Sequence, residues 1–416
     1  MSNGPEVIRA QCCVAGGGPA GMVLGLLLAR AGVEVVVLEK HGDFLRDFRG
    51  DTVHPSTLEV VHELGLLDDF LRRPHHEARE LGADFAGHEF PVADFAHLPT
   101  RCKFIALMPQ WDFLDFLSSH AKKYPTFRLR MRAEVTDLLE DGDRVVGVRA
   151  KTPGGGFEVR APLTVGCDGR HSTVRARAGL PGKVLGAPMD VLWMRVSRAP
   201  SDPDKLMGRF EVGRIFVMIP RGDYWQCGFI IPKGANEEVR GRGLERFRAD
   251  IAAAAPVLAE RVSELTSWDD VKLLTVAVDR LRKWWKPGLL CIGDAAHAMS
   301  PVGGVGINLA VQDAVATANL LAGKLNAGTT TSADLARVQR RRTLPTQLTQ
   351  WLQVQAQERV IFRTLSAKGP LHTPLALKLF ERFPLLRRFP ARLVGVGVRP
   401  EHVRTPDAFT SGTTAR

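Results

Sequence analysis

The chain has 416 residues, 45% of them hydrophobic, enough for a large core spread over two or three structural units. No window holds eighteen uninterrupted apolar residues and the N-terminus shows no basic-then-apolar signal pattern, so the sequence predicts neither a spanning helix nor a secretory leader. The net charge of +11 is concentrated in Thr331–Arg416, with 15 Lys and Arg against 5 Asp and Glu, and with no nucleic-acid-binding motif in the sequence it argues against a nucleic-acid partner.

In chain order, Gln11–Ala15 reads as a short apolar strand, followed by Gly16, Gly18 and Gly21 in G-x-G-x-x-G spacing. Pro19 and Ala20 open a helix that runs through the apolar Met22–Ala31 and stops at Gly32. Val33–Leu38 is a second strand, ended by Glu39 and Lys40. Gly16 permits the tight turn, Gly18 the approach of a pyrophosphate, and Gly21 close helix-to-strand packing. The helix N-terminus offers free N–H groups to phosphates. Glu39 lies 18 positions after Gly21, near the offset of an acid that holds ribose hydroxyls. This unit predicts a dinucleotide site and leaves FAD and NAD both open.

Leu58, Val61, Leu64 and Leu67 mark an amphipathic helix, and Ala133–Leu138 a strand. Ala161–Arg175 places a strand before Asp168-Gly169, with Ser172 and Arg175 at D-G-x-x-S-x-x-R spacing. Val191–Pro232 alternates as strands, with Gly222-Asp223 turning a hairpin between Ile215–Pro220 and Tyr224–Ile231. Phe216 and Met218 share one face of the first hairpin strand, and Ile215, Val217 and Ile219 the other. Gly288–Asn308 is a buried strand ending in Gly293-Asp294, then His297, then a loop with Pro301, Gly303 and Gly304. A long helix opens at Gly306, Ile307 and Asn308, with Ile307, Val311, Ala314, Ala318 and Leu321 on one face. Ser332 caps a helix through Arg342, Pro345 interrupts it, and Gln347–Leu365 forms another. Residues 405–416, rich in Thr, Ser and Ala, read as a disordered tail. The six cysteines form no C-x-x-C pair and read as buried thiols of a cytoplasmic protein. No metal-ligand spacing appears among His and Cys.

The glycine fingerprint, the Asp-Gly motif and the Gly-Asp motif, in this order, resemble the para-hydroxybenzoate hydroxylase family of single-component flavin monooxygenases. The resemblance covers roughly residues 10–325. It implies an α/β fold: a Rossmann-type FAD-binding domain, an inserted mostly antiparallel β-sheet substrate domain, and C-terminal helices. The boundaries expected are 1–81, 101–180 and 273–324 for the FAD domain, 82–100 and 181–272 for the sheet domain, and 325–404 for a basic helical segment. It further implies FAD as cofactor, NADH or NADPH as transient co-substrate, and O2 that forms a flavin C4a-hydroperoxide to hydroxylate the substrate. By the same resemblance Arg49 pairs with the pyrophosphate, Gln110 contacts the ribityl or pyrophosphate region, and the Val135 backbone meets the adenine. Asp168 bridges cofactor and nicotinamide sites, Asp294 bonds the ribityl chain, and the loop of Pro301 and Gly304 borders the flavin face. The helix start at Gly306, Ile307 and Asn308 faces the flavin N1–C2=O edge. Trp111 stands where many relatives carry Arg. His297 belongs to the local scaffold rather than acting as a general base.

Phe216 and Met218, with Pro301, are the expected substrate wall. Its apolar character suits a bulky aromatic or otherwise apolar small molecule. A dehydrogenase or reductase of the same fold is the alternative activity. Two readings of the basic terminal segment stand side by side: a solvated cap over the FAD domain, or a peripheral contact with anionic lipid at the inner membrane surface.

Overall fold

The computed structural model describes residues 6–45, 52–203 and 205–409. Its centre is a six-stranded sheet in the order Trp285–Lys286, Leu289–Cys291, Leu163–Gly166, Cys12–Ala15, Val35–Leu38 and Phe127–Arg130. Every pair is parallel except the first. The inner strands are short, apolar and wholly buried, as sheets covered on both faces require. The helix Pro19–Arg30 packs along the helix Gly306–Asn326, and a four-stranded sheet adds Val145, Val148, Phe157 and Val159 to the same core.

The second body is a seven-stranded, mostly antiparallel sheet. Its order is Lys272–Leu274, Met189–Ser197, Tyr224–Pro232, Arg214–Arg221, Met207–Glu211, Glu80–Phe85 and His88–Asp94. The expected hairpin forms around Gly222, with Pro220 opposite Trp225. The expected domain edges at 81 and 273 both fall inside strands of this sheet, because Glu80–Phe85 and Lys272–Leu274 hydrogen-bond as its members.

Several expectations change. One does not: the helix after the fingerprint starts at Pro19, as expected. The helix Gly306–Asn326 is buried nearly all round, not on one face, since it runs between other helices; its apolar length is that of a core helix. Pro345 does not break the C-terminal helix, which runs unbroken over Ser332–Ala356 and continues through a π-helical stretch at Gln357–Phe362. Helix-interior proline removes one N–H; here Thr343 and Thr346 hydroxyls bond the neighbouring carbonyls of Gln339 and Arg342. The true N-cap is Thr331, in a reciprocal box with Asp334. The expected disorder does not begin at Thr405: Thr405 is buried, its carbonyl accepts from Arg30, and Asp407 pairs with Arg30 at 3.3 Å.

Candidate functional site

Strand register assembles the site. Leu38, Ala15, Gly166 and Cys291 lie side by side across four adjacent strands. Glu39, Gly16, Asp168 and Asp294 therefore emerge together at the sheet's carboxyl edge, where open α/β sheets take their ligands. The glycines divide their work as the sequence suggests. Gly16 has φ +105°, and a Cβ there would lie 2.4 Å from the Cys167 carbonyl oxygen. A Cβ on Gly21 would lie 1.9 Å from the Gly16 carbonyl oxygen, so helix and turn touch backbone to backbone. A Cβ on Gly18 would meet nothing within 4 Å, which leaves open space in front of the helix start.

The first turn of Pro19–Arg30 has no side-chain cap, so its N–H groups remain for an anion. Glu39 Oε2 accepts the Gly17 N–H at 2.9 Å and Oε1 the His41 N–H at 3.0 Å, fixing the carboxylate beside the fingerprint. Ala133 N donates to the Glu39 carbonyl at 2.8 Å, bringing the start of Val135's strand to the same corner. Ala20 is buried against the Gly293 turn, and Lys40 is exposed. Gln110 opens the helix Gln110–Ala121 just beyond Leu107, whose strand partner is Thr52. Arg49 lies outside the described residues.

Asp168 serves its own turn. Its carboxylate accepts from the Ser172 hydroxyl at 2.5 Å and the Val174 N–H at 3.1 Å, and burial raises its pKa against those bonds. Arg175 reaches Asp279 at 3.2 Å, which also accepts the Ala298 N–H. The Asp-Gly motif is thus tied to the loop after Gly293-Asp294. His297 is held as scaffold: its Nε2 lies 2.6 Å from Asp313 Oδ2, whose other oxygen takes Arg342 Nε at 2.8 Å. All three side chains are buried. Burial opposes the Asp313 charge, but His297 and Arg342 prevail and hold its pKa below the usual range.

The Pro301 loop is gripped from three sides. Thr52 Oγ1 donates to the Gly304 carbonyl at 3.0 Å. His54, fully buried, faces the same carbonyl with Nε2 at 3.1 Å and the Val394 carbonyl with Nδ1 at 2.8 Å. Gly304 has φ +63°, and a Cβ there would lie 2.5 Å from Thr52 Oγ1, so only glycine fits. From the C-terminal helix, Gln350 donates to the Ala298 carbonyl, and Gln353 to the Ser300 and Val302 carbonyls at 2.9 and 2.8 Å. Gln357 bonds the Ser300 hydroxyl. At the helix start, Asn308 Oδ1 accepts from Ser56 and Thr57 at 2.7 and 2.9 Å, so its side chain is committed to protein. The first turn of Gly306–Asn326 again lacks a side-chain cap. Two uncapped helix starts at one sheet edge, with open space at Gly18 and three carboxylates, fit a long anionic dinucleotide.

Phe216 and Met218, expected at the substrate wall, are buried side chains of the sheet's covered face. They point into a separate core with Phe229, Phe247 and Ile251, under the helix Leu244–Ala254. Strand alternation puts Val217 and Ile219 on the opposite face, with Trp193, Gly228 and Gln226 on neighbouring strands. Trp193 and Val217 pack both with the cluster containing Ile105, Ile219 and Val396 and with the one that includes Val302. This face therefore looks toward the Pro301 loop. The Trp193 indole N–H is buried with no partner among the described residues, and a Cβ on Gly228 would lie 3.0 Å from its ring. Arg195 lies over the Tyr224 ring at 3.8 Å, and Arg221 is buried beside Gln226.

His54, Thr52, Gln353, Gln357 and Trp193 escaped the sequence reading. Gln350, Gln353 and Gln357 carry a signal, since their spacing puts them on one helical face. His54 carries none, because its partners lie 250 and 340 residues away in sequence.

Residues 9–351 match the family described as FAD binding domain. Over 409 residues the chain is 33% identical to 6-methylpretetramide 4-monooxygenase of Streptomyces rimosus, covering 98% of this chain and 97% of the relative. Other curated relatives are longer, and the chain spans 63% and 61% of two of them. Among solved structures, OxyS anhydrotetracycline hydroxylase from Streptomyces rimosus superposes with a TM-score of 0.72 at 25% identity, covering 93% of this chain and 76% of that one. The p-nitrophenol 4-monooxygenase PnpA from Pseudomonas putida superposes with a TM-score of 0.75 at 22% identity, covering 93% and 97%. With the dinucleotide edge and the buried loop already in place, these likenesses settle the family: the chain belongs to the FAD-binding-domain family of the para-hydroxybenzoate hydroxylase kind and is an FAD-dependent monooxygenase.

Proposed function

We propose that this chain hydroxylates a bulky, fused-ring aromatic, with NADH or NADPH as the transient reductant. The carrying observation is the sheet face of Trp193, Val217 and Ile219, which packs toward Val302 of the Pro301–Gly304 loop and carries a buried indole N–H with no partner among the described residues. A broad ring system suits such an apolar face, because offset stacking and area burial act together. The relative at 33% identity is named for a methylpretetramide, which supports the same class.

In this reading the N-terminus of Pro19–Arg30, with Gly18 and Arg49, takes the FAD pyrophosphate. Glu39 takes the ribose, Val135 and Lys40 border the adenosine end, and Gln110 and Asp294 hold the ribityl chain. The start of Gly306–Asn326 presents the Gly306, Ile307 and Asn308 N–H groups to the pyrimidine edge, where negative charge accumulates on reduction. FAD supplies the electron transfer and oxygen activation; the protein supplies binding, orientation and water exclusion. Trp193 Nε1–H donates to a ring oxygen of the substrate and sets which ring carbon faces the loop. His54, Thr52 and Gln353 hold that loop in place.

NAD(P)H oxidation is measured with a panel of monocyclic phenols and fused-ring polyphenols under labelled dioxygen. Stimulation by the fused rings, with label in product, is expected. Stimulation by small phenols alone rejects the substrate class. Reduction that leaves no label in product favours a dehydrogenase.

A further inference from the structure

The basic C-terminal segment does two different things on its two sides. Inward, Ala391 and Gly395 are buried, and a Cβ on Gly395 would lie 2.7 Å from Leu98. The helix Leu375–Arg382 packs along the strand His88–Asp94, with Glu381 paired to His88 at 2.8 Å. Outward, the same segment leaves large apolar side chains in solvent: Leu375 is 70% exposed, Phe383 52%, Leu385 65% and Phe389 72%. Leu375 and Leu379 lie one turn apart on the helix Leu375–Arg382, and exposed Phe383, Leu385 and Phe389 follow through the connection, the short 3-10 segment and the helix Arg388–Gly395. Scattered single exposures need no explanation, but a continuous run of them marks a contact surface.

Charge says what the run contacts. Residues 368–399 carry seven Lys and Arg and one acid, Glu381, which His88 already occupies. Among the described residues Lys378, Arg382 and Arg392 have no ion-pair partner. A second copy would bring the same cations face to face, which disfavours self-association. Apolar side chains rimmed by unpaired Lys and Arg match a surface that is apolar beneath and anionic above.

We propose that the outward face of Leu375–Arg382, Pro384–Arg387 and Arg388–Gly395 docks on an anionic lipid bilayer, with Leu385 and Phe389 entering the headgroup layer and the cations meeting lipid phosphates. Docked in this way, the Arg388–Gly395 helix stays connected to the site, since the Val394 carbonyl meets His54 and His54 meets Gly304. The proposal is independent of the substrate assignment, because its readout is binding rather than turnover.

The test is co-sedimentation of the full chain with phosphatidylcholine vesicles and with vesicles containing phosphatidylserine, at low and high salt. Binding is expected only with phosphatidylserine, and salt should weaken it. The double variant Leu385→Ser/Phe389→Ser should lower vesicle partitioning by about tenfold or more with unchanged melting temperature, since both side chains lie in solvent. Arg388→Gln/Arg392→Gln should erase the preference for phosphatidylserine. No sedimentation at low salt overturns the proposal, as does binding indifferent to both double variants. A concentration-dependent dimer that Leu385→Ser/Phe389→Ser dissolves overturns it too, in favour of a second copy as the occupant.

Discussion

At the scale of single residues, positions that look alike in the sequence have separable roles. Gly21 faces the Gly16 carbonyl and Gly18 faces open space. Gly21→Ala should destabilise the protein by about 3 kcal/mol, because neither backbone can yield. Gly18→Val should melt normally yet retain little FAD, measured as absorbance at the flavin band per protein. Normal FAD retention would remove the fingerprint from the pyrophosphate. His54 is the second case. A neutral imidazole has one N–H, yet both of its nitrogens face carbonyl oxygens. Those carbonyls favour the charged ring, but burial outweighs them and lowers the pKa from 6.5 to about 4. The folded pKa is thus depressed. The stability is fully present above pH 6.5, and it is lost as pH falls toward 4, where the unfolded chain takes a proton and the folded chain does not. The loss is on the order of 3 kcal/mol. His54→Gln should flatten the slope of stability against pH in that window, read by urea melts. An unchanged slope would assign the acid sensitivity to other groups.

At the scale of elements, the hairpin strand Arg214–Arg221 separates a covered core face from the face proposed to meet substrate. Phe216→Ala opens a cavity under the helix Leu244–Ala254 and should cost about 3–5 kcal/mol with an unchanged KM for substrate. Trp193→Phe keeps an aromatic ring, though a smaller one, and removes the unpartnered N–H, so it should raise KM or lower the product formed per NAD(P)H, with a smaller loss of melting temperature than Phe216→Ala. The reverse pattern would restore Phe216 to the substrate wall. The helix Ser332–Ala356 holds the Pro301 loop through glutamines, while its Arg342 charge acts on Asp313 and His297. Gln353→Leu strands the Ser300 N–H and the Ser300 and Val302 carbonyls, which lie beside Pro301. It should lower hydroxylation more than NAD(P)H oxidation, because the loop bordering the substrate loosens while the dinucleotide edge is untouched; equal loss of both would point to general destabilisation.

At the scale of the whole molecule, the proposed FAD site draws on the central sheet, the small sheet through Thr52, and the C-terminal segment through the loop. Adding FAD to a thousandfold excess over its Kd stabilises by about 4 kcal/mol, roughly 5 °C in Tm for a chain of this length. One melting transition should move as a unit, and a second transition indifferent to FAD would show that the seven-stranded sheet folds apart from the cofactor domain. The cofactor half of this design was legible in the sequence because its signals are local. The fingerprint, Glu39, Asp168 and Asp294 each sit within a few residues of an apolar strand, and strand-turn-helix geometry needs no distant information. What the sequence could not supply was the choice between equivalent faces and the pairing of distant segments. Alternation showed that Phe216 and Val217 oppose each other, but only the helix Leu244–Ala254 decides which face is covered. Pro345 reads as a break until tertiary packing outweighs its missing hydrogen bond. His54 meets Gly304 and Val394 only once the chain has closed on itself, because those contacts depend on where three remote backbones pass rather than on any local preference.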